Sequence, residues 1–498
     1  MSADQPQLPR TYGGWRRRRG IGLWGLGPAG TFAVLAAALV LVLVAAVHSA
    51  TLVYVTPPAA VAAGLGVARV GGESLAVRAL RRLRWSLATA RGYTAYQSTA
   101  AAGYGREPAL PGVLAPLALV SAEDGYGGKY GLVWDRRTGL LTATLRVVPA
   151  STWLAERADA DTWVANWGAW LASLGHHPML KWVTVTVDTA PEPGSTLAGS
   201  VAHVIDPSAP FAARQILGQL VEAAPATAAD VDTRVSLTFD PQASPAAPKN
   251  LAAAAAETGG VMYGLESALG TCGASVLGRL GPAEIAGVVR TAFNPAARAQ
   301  TPRTTRRHSA GTGTQRIGWA GVGPMTAEEL PSHYLHGSAM SVTWAWCEAP
   351  RQNVTAGVLA CLLAPGPYPK RVALQYRPFP AAAATRVLEG EVNAAAFRAH
   401  YRHRTGRDET ARDAHDQARA RQAAAEEAAG AGVCLVSLYV TVTVASPGDL
   451  PRATAWVEAA ADSSKVRLRR MDYSQAAGFA AALPCGICPA ELSRRFPH

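Results

Sequence analysis
Lysine is nearly absent: five residues (Lys129, Lys181, Lys249, Lys370 and Lys465) stand among 47 basic ones. Together with the abundant alanine, this reflects codon composition and not chemistry. Charge of any kind is scarce, at 16% of 498 residues, where an ordinary soluble chain carries about 25%. The six cysteines (272, 347, 361, 434, 485 and 488) are too scattered for a disulfide framework and fit reduced thiols. Catalytic signatures are missing as well. Neither G-x-S-x-G nor H-E-x-x-H occurs. The nearest approach to a phosphate loop is Gly128-Lys129-Tyr130. Glu123 stands there where the first glycine belongs, and Tyr130 where Ser or Thr would hold magnesium. The chain is therefore expected to use no cofactor, no metal and no catalytic residue. At 49% hydrophobic residues it is not a disordered chain, and its length suits three to four domains.

The net charge of +12 is unevenly placed. Residues 1–91 hold eleven Arg and only two acids, Asp4 and Glu73, so they carry +9 of it. Between Gly20 and Ala68 there is no Asp, Glu, Lys or Arg. Residues 28–47 (PAGTFAVLAAALVLVLVAAV) are 20 apolar-rich positions, enough to cross about 30 Å of hydrocarbon. His48-Ser49 break the run, and residues 50–67 form a weaker second span kinked at Pro57-Pro58. Arg16, Arg17, Arg18 and Arg19 precede the pair; Arg69, Arg78, Arg81, Arg82 and Arg84 follow it. Basic flanks stay inside, so the pattern predicts a multi-pass cell-membrane protein with both termini cytoplasmic. A signal peptide cleaved near Ala45–Ala50 would lack the second span. Gly20-Ile-Gly22-Leu-Trp-Gly25 matches G-x-G-x-x-G but leads into the apolar run, not into a βαβ unit, and is read as membrane entry.

Charge near balance over the remaining 407 residues argues against direct nucleic-acid binding. The basic flanks favour anionic lipid headgroups. Residues 71–98, with Leu75, Leu80, Leu83, Leu87 and Trp85 among the arginines, suggest a helix lying on such a surface.

The rest alternates strand and helix patterns, an α+β class. Strands are expected at 129–135, 140–148, 181–189, 231–239 and 274–280, and helices at 152–174, 211–223, 251–269 and 282–293. Residues 294–315 lack periodicity and read as a linker. A similar order then returns: strands at 316–322, 341–347, 371–376, 434–444 and 465–471, helices at 353–363, 381–429, 449–461 and 474–483. Both halves give β-β-α-β-α-β-α-β-α, which suggests a duplicated ββαβαβ-type module. The expected division is a basic tail at 1–27, a transmembrane hairpin at 28–70, an Arg-rich juxtamembrane segment at 71–112, a first module at 113–295, a linker at 296–315 and a second module at 316–498. The long helix 381–429 alternates charges and reads as a solvated face.

Weaker features have plain readings. Cys485-Gly-Ile-Cys488 has no second pair to complete a zinc site and no thioredoxin-like strand before it, so buried thiols are expected. His333 and His336, and His176-His177, lack a third ligand and read as surface or core residues. The tryptophans of 153–170 read as core.

Several blocks are distinctive in combination: Thr11-Tyr-Gly-Gly-Trp15 before the arginines, Gly25-Leu-Gly27, residues 110–116 (LPGVLAP) and residues 163–174 (WVANWGAWLASL). Val342-Thr-Trp344, Glu348-Ala-Pro350, Glu426-Glu-Ala-Ala-Gly430 and residues 475–484 (QAAGFAAALP) join them. In these the chain resembles a membrane protein family of actinobacterial integrative conjugative elements. That family looks like a type IV secretion PrgI-type membrane hairpin joined to the N-terminal, non-ATPase part of the conjugation ATPase. The resemblance implies a non-enzymatic inner-membrane component that docks a separately encoded motor ATPase at the channel, with other channel subunits as partners. Cys485 and Cys488 depart from the family's apolar continuation. Two other readings are a type VII secretion E-like membrane component and a membrane-anchored enzyme with an unrecognised site.

Overall fold
The computed structural model describes residues 11–13, 68–70, 73–98, 109–123, 127–151, 155–191, 201, 205–206, 208–223, 229–300, 315–348, 350, 352–380, 383–390, 392, 411–428 and 430–495, with isolated positions between 35 and 64. The expected spans at 28–47 and 50–67 fall largely outside these residues, and Arg16–Arg19 and Gly20–Gly25 fall wholly outside them. Among the described residues no helix is long and apolar enough to cross a membrane.

In chain order, the strands among the described residues are β1 (Arg69–Val70), β2 (Glu73–Ser74), β3 (Ala95–Gln97), β4 (Leu117–Glu123), β5 (Lys129–Asp135), β6 (Leu141–Pro149), β7 (Leu180–Pro191) and β8 (Ala229–Phe239), then β9 (Ala274–Arg279), β10 (Gln315–Ile317), β11 (Thr326–Glu329), β12 (Tyr334–His336), β13 (Ala339–Glu348), β14 (Lys370–Pro378), β15 (Cys434–Val444) and β16 (Arg467–Arg470). The helices are α1 (Leu75–Ala90), α2 (Arg157–Ser173), α3 (Phe211–Ala223), α4 (Leu251–Leu269), α5 (Pro282–Phe293), α6 (Ala360–Leu363), α7 (Ala411–Ala428), α8 (Leu450–Ser463), α9 (Gln475–Ala481) and α10 (Pro489–Arg495).

Fourteen of these strands form one antiparallel sheet, whose main path runs β10-β4-β5-β6-β8-β7-β14-β15-β13-β12-β11-β3. Two more strands join it from the side: β9 extends along β6, and β16 along β13. The central order is palindromic. Reading outward from the β7–β14 seam gives β7, β8, β6, β5 on one side and β14, β15, β13, β12 on the other. An approximate two-fold axis crosses the seam at the Thr186–Ala373 pair. The α+β class is as expected.

Each half buries its alternating valines and leucines against its own helices. In the first half Leu141, Leu145, Val183, Val235 and Leu237 pack on Trp170 and Leu174 at the end of α2 and on Ala255, Met262 and Leu265 of α4. In the second, Val342, Trp344, Val372, Val440 and Val442 pack on Leu362 of α6 and on Ala453, Val457 and Ala461 of α8. The opposite face carries the intervening polar residues, and it too is covered. Ile285, Val289 and Phe293 of α5, Phe479 of α9 and the segment from Leu483 to Ile487 share a third cluster over that face. Polar residues there are fully enclosed and must pair with one another. Thr142 meets Thr238 at 3.0 Å and Thr144 meets Ser236 at 2.9 Å. The two-fold repeats both contacts as Ser341–Thr443 at 2.8 Å and Thr343–Thr441 at 2.9 Å. The Val/Thr alternation of β7 is therefore an inside–inside pattern, not an inside–outside one.

Four expectations need correction. The strand expected at 316–322 shrinks to β10, because Gly318, Gly321 and Gly323 turn the chain and Trp319 Nε1 donates to the Leu117 carbonyl at 2.9 Å. The partner of β13 is instead β12, too short at three residues to show alternation. The helix expected at 353–363 is only α6; Val354 pairs with Tyr12, and Pro365 stops the helix. Pro295–Gln300, expected to open the linker, is a 3-10 turn packed into the first half; residues 301–314 lie outside the described residues, as does most of 391–410, where the expected helix 381–429 runs.

Gly486 anchors the last segment. Its φ is +65°, and a Cβ there would collide with Thr142 Oγ1. Gly486→Ala is expected to destabilise the fold by about 2–4 kcal/mol, through left-handed strain plus overpacking; denaturant unfolding followed by tryptophan fluorescence measures it.

Candidate functional site
Two regions concentrate chemistry. The first is the basic segment at the start of the described chain. β1 and β2 form a short hairpin, two residues a strand, that carries Arg69 directly before α1. Arg78, Arg81, Arg82 and Arg84 all lie on α1. This helix docks by one side on the loop before α9: Arg78 pairs with Asp472 at 3.6 Å, and Trp85 packs on Tyr473 at 5.6 Å between ring centres. Arg81, Trp85 and Ala88 are half-buried on that side. Leu80, Leu83 and Leu87, at helical spacing, turn away from the protein and are 41%, 56% and 49% exposed. The expected amphipathic helix therefore exists, with its apolar stripe facing outward. Arg16, Arg17, Arg18 and Arg19 belong to the undescribed residues.

The second region is a buried ionic cluster on the polar face, at the β7–β8 end. Asp188 Oδ1 accepts from Arg298 Nη2 at 2.6 Å and its Oδ2 from Arg234 Nη2 at 3.1 Å. Arg234 Nη1 also reaches Asp232 at 2.5 Å, and Arg298 Nη1 reaches Asp230 at 2.8 Å. Arg146 bridges Asp232 and Glu284, each at 3.2 Å. Burial alone would raise the Asp188 carboxyl, but Arg298, Arg234 and Arg371 outweigh it and hold the group below its ordinary range. Arg371 differs from the other three arginines. It is 5% exposed, its Nε and Nη2 have no hydrogen-bond partner, and it stacks 4.8 Å above the Phe479 ring. Burial pulls it down to about 10.

Beside this cluster runs a hydrogen-bonded chain. His336 Nδ1 donates to the Phe293 carbonyl at 2.7 Å, so Nε2 of the neutral ring accepts from Ser341 Oγ at 2.8 Å. The Ser341 oxygen in turn accepts from Thr443. A Ser–His pair at this distance is the arrangement of an activated nucleophile. Here both residues are 0% exposed and Nδ1 faces a carbonyl, so the pair ties α5 to the sheet. Burial pushes His336 down to about 4 against the opposing pull of the Phe293 bond, and Arg371 adds to the fall.

Of the remaining sequence candidates, the cysteine pair and Trp170 are core residues, whereas His176 is exposed and His177 and His333 are half-buried. Cys485 and Cys488 are free, 2% and 3% exposed, and burial raises both thiols, Cys485 to about 12. They are unreactive thiols in this setting. Trp170 is buried and stacks on Trp167 at 4.9 Å, as expected for core. Among the described residues no group of three or more His, Cys, Asp or Glu is placed to hold a metal ion. An open surface groove of about 450 Å³ runs between Glu348, Gln352, Asp462 and Arg467.

The buried cluster escaped sequence reasoning. One signal was present: Asp188 interrupts the Val/Thr alternation of β7, and Arg234 and Arg371 stand in strands of the same sheet, where a buried charge is expected only if paired. Arg298 gave no signal, because it sits in a stretch without periodicity. No protein-family model matches the chain, and none of the curated proteins does.

Asp188→Asn should cost about 3–5 kcal/mol, since it strands two buried guanidinium groups; the shift in its denaturant midpoint from wild type measures the loss. His336 sets a separate pH window. The unfolded chain takes up a proton near 6.5 that the folded chain refuses until about 4. Stability is complete above that window and falls by about 3 kcal/mol as pH drops through it. Comparing unfolding midpoints of wild type and His336→Gln at neutral and acid pH checks this: the acid loss should be smaller in the variant.

Proposed function
We propose that this chain is a non-enzymatic, membrane-anchored component of a type IV secretion-like conjugative transfer apparatus. Its role is to dock a separate motor ATPase at the channel. The reading starts from the resemblance carried by residues 11–27, 110–116, 163–174 and 475–484. The observation that carries it further is α1. Its Leu80, Leu83 and Leu87 face away from the body, while Arg78 and Trp85 fasten the other side to the second half. A helix with an outward apolar stripe between arginines suits the surface of an anionic bilayer. It follows the uncharged run 20–68 after only the short β1–β2 hairpin, so the expected membrane hairpin, the α1 surface helix and the sheet would be stacked from the membrane into the cytoplasm.

The palindromic sheet supports the second part of the reading. Its element order suggests a module present twice, and joining the two copies edge to edge makes a broad rigid platform. A platform of this kind would hold a motor without taking part in hydrolysis.

The test is a pull-down of the tagged full chain from detergent-solubilised native membranes, with mass spectrometry of the co-purifying proteins. Recovery of an oligomeric ATPase and channel subunits is expected; recovery of the folded chain alone would overturn the docking role. The α1 placement has its own measurement. In proteoliposomes containing brominated phosphatidylglycerol, Leu83→Trp should add quenchable tryptophan fluorescence beyond the wild-type signal, and no added quenching would place α1 away from lipid.

A further inference from the structure
The two-fold relation breaks at the tips of the two central hairpins. The tip of β7–β8 carries α3, and the equivalent tip of β14–β15 carries α7. Antiparallel pairing at the seam puts the two tips at opposite ends of the sheet. α7 has seven charged residues among its 18, from Arg412 to Glu427. α3 has two among its 13, Arg214 and Glu222. On α3, Ala213, Ile216, Leu217 and Leu220 fall on one face by helical spacing. Residues 211–220 are all exposed, so that face is not buried in the body. Only five residues separate α3 from β8, which keeps it within about 20 Å of the end of the sheet.

The same end gathers other exposed apolar groups. Strand directions place there Val148 at the end of β6, Val231 near the start of β8 and Met325 just before β11. Beyond residue 68, none of the large exposed apolar side chains among the described residues lies at the α7 end. β16 also runs toward the α3 end, and the loop after it holds α1 through Asp472 and Tyr473. The uncharged run 20–68 joins the described body directly before β1–β2 and α1. Apolar surface, α1 and the entry of that run therefore share one end of the sheet.

We propose that α3 is a second membrane-contacting helix, laid with Ile216, Leu217 and Leu220 in the headgroup–acyl boundary, so that the sheet stands on the bilayer by its β7–β8 end and α7 lies at the far end. This rests on the reading of α1 as a lipid-facing helix. α3 has almost no charge to draw it to a surface. α1 and its arginines hold the body there, and an apolar helix kept at the boundary inserts at high effective concentration. A second copy of the chain is the poorer occupant. A helix about 20 Å long and about 10 Å across presents far less than the ~800 Å² a side of a stable protein interface. The contrast between the two tips has the same sense: the apolar one meets lipid and the charged one water.

The test uses the purified full chain in vesicles of phosphatidylcholine and phosphatidylglycerol. The photo-crosslinking residue benzoylphenylalanine is placed singly at Leu220, at Leu83 of α1 and at Gln422 of α7, all exposed positions. Mass spectrometry reads the adducts after illumination. A gain of one lipid mass is expected at Leu220 and at Leu83, and none at Gln422. Lipid at Leu83 but not at Leu220 overturns the α3 contact and leaves the reading of α1 standing. Lipid at neither position overturns both. A chain-to-chain adduct at Leu220 in place of lipid identifies a second copy as the occupant and overturns the proposal. Lipid at Gln422 as well as at Leu220 overturns the upright placement of the sheet.

Discussion

The structure depends on a single requirement: a sheet with helices or chain packed on both faces leaves its polar face no water to bond. Each hydroxyl on that face must find another hydroxyl, an amide or a carbonyl. The solution is a ladder of cross-strand pairs, Thr142–Thr238 and Thr144–Ser236 in one half, Ser341–Thr443 and Thr343–Thr441 in the other. Such pairs are modest individually, of order 1 kcal/mol, but leaving one partner unmet costs more than the pair is worth. Gln375 and Gln475 close the remaining gaps by reaching across to Thr184, Ile487 and the backbone of Thr343.

That requirement explains where charge is tolerated. Arg234 and Asp188 enter the same enclosed layer as a network of ion pairs with Arg298, Asp230 and Asp232, and Arg371 enters it beside them, stacked on Phe479. The network lies between the two halves, in the part of the face where the 3-10 turn after α5 meets β14. It therefore joins residues far apart in sequence, and its sites differ from their two-fold counterparts. The two halves share hydroxyl ladders but not ions.

Much of this was legible before any coordinates. The bounds of α3, α4, α5 and β15 follow directly from periodicity, because each is long enough to show several periods. The short pieces were not: β12 has three residues, and α6 has four, closed off by Pro365. The orientation of α1 was half legible. Its amphipathic pattern is plain in the sequence, but which side meets the protein depends on Asp472 and Tyr473, nearly four hundred positions away. The ionic cluster was hidden for a related reason. A charge in a strand announces a partner without saying which, and Arg298 lies in a stretch that looked like a tether.

The seam between the halves has a consequence for assembly. β7 and β14 pair antiparallel over seven registered residues about an axis at Thr186 and Ala373. Antiparallel pairing about such an axis is also the geometry of a symmetric homodimer. Either half, made alone, would present its seam strand as a long, regular and uncharged-centred open edge, which is a template for pairing with its own copy. In the first half Thr186 would then face Thr186, in the second Ala373 would face Ala373. Covalent fusion of the halves makes the pairing intramolecular and fixes its stoichiometry, so each completed sheet has one of each half.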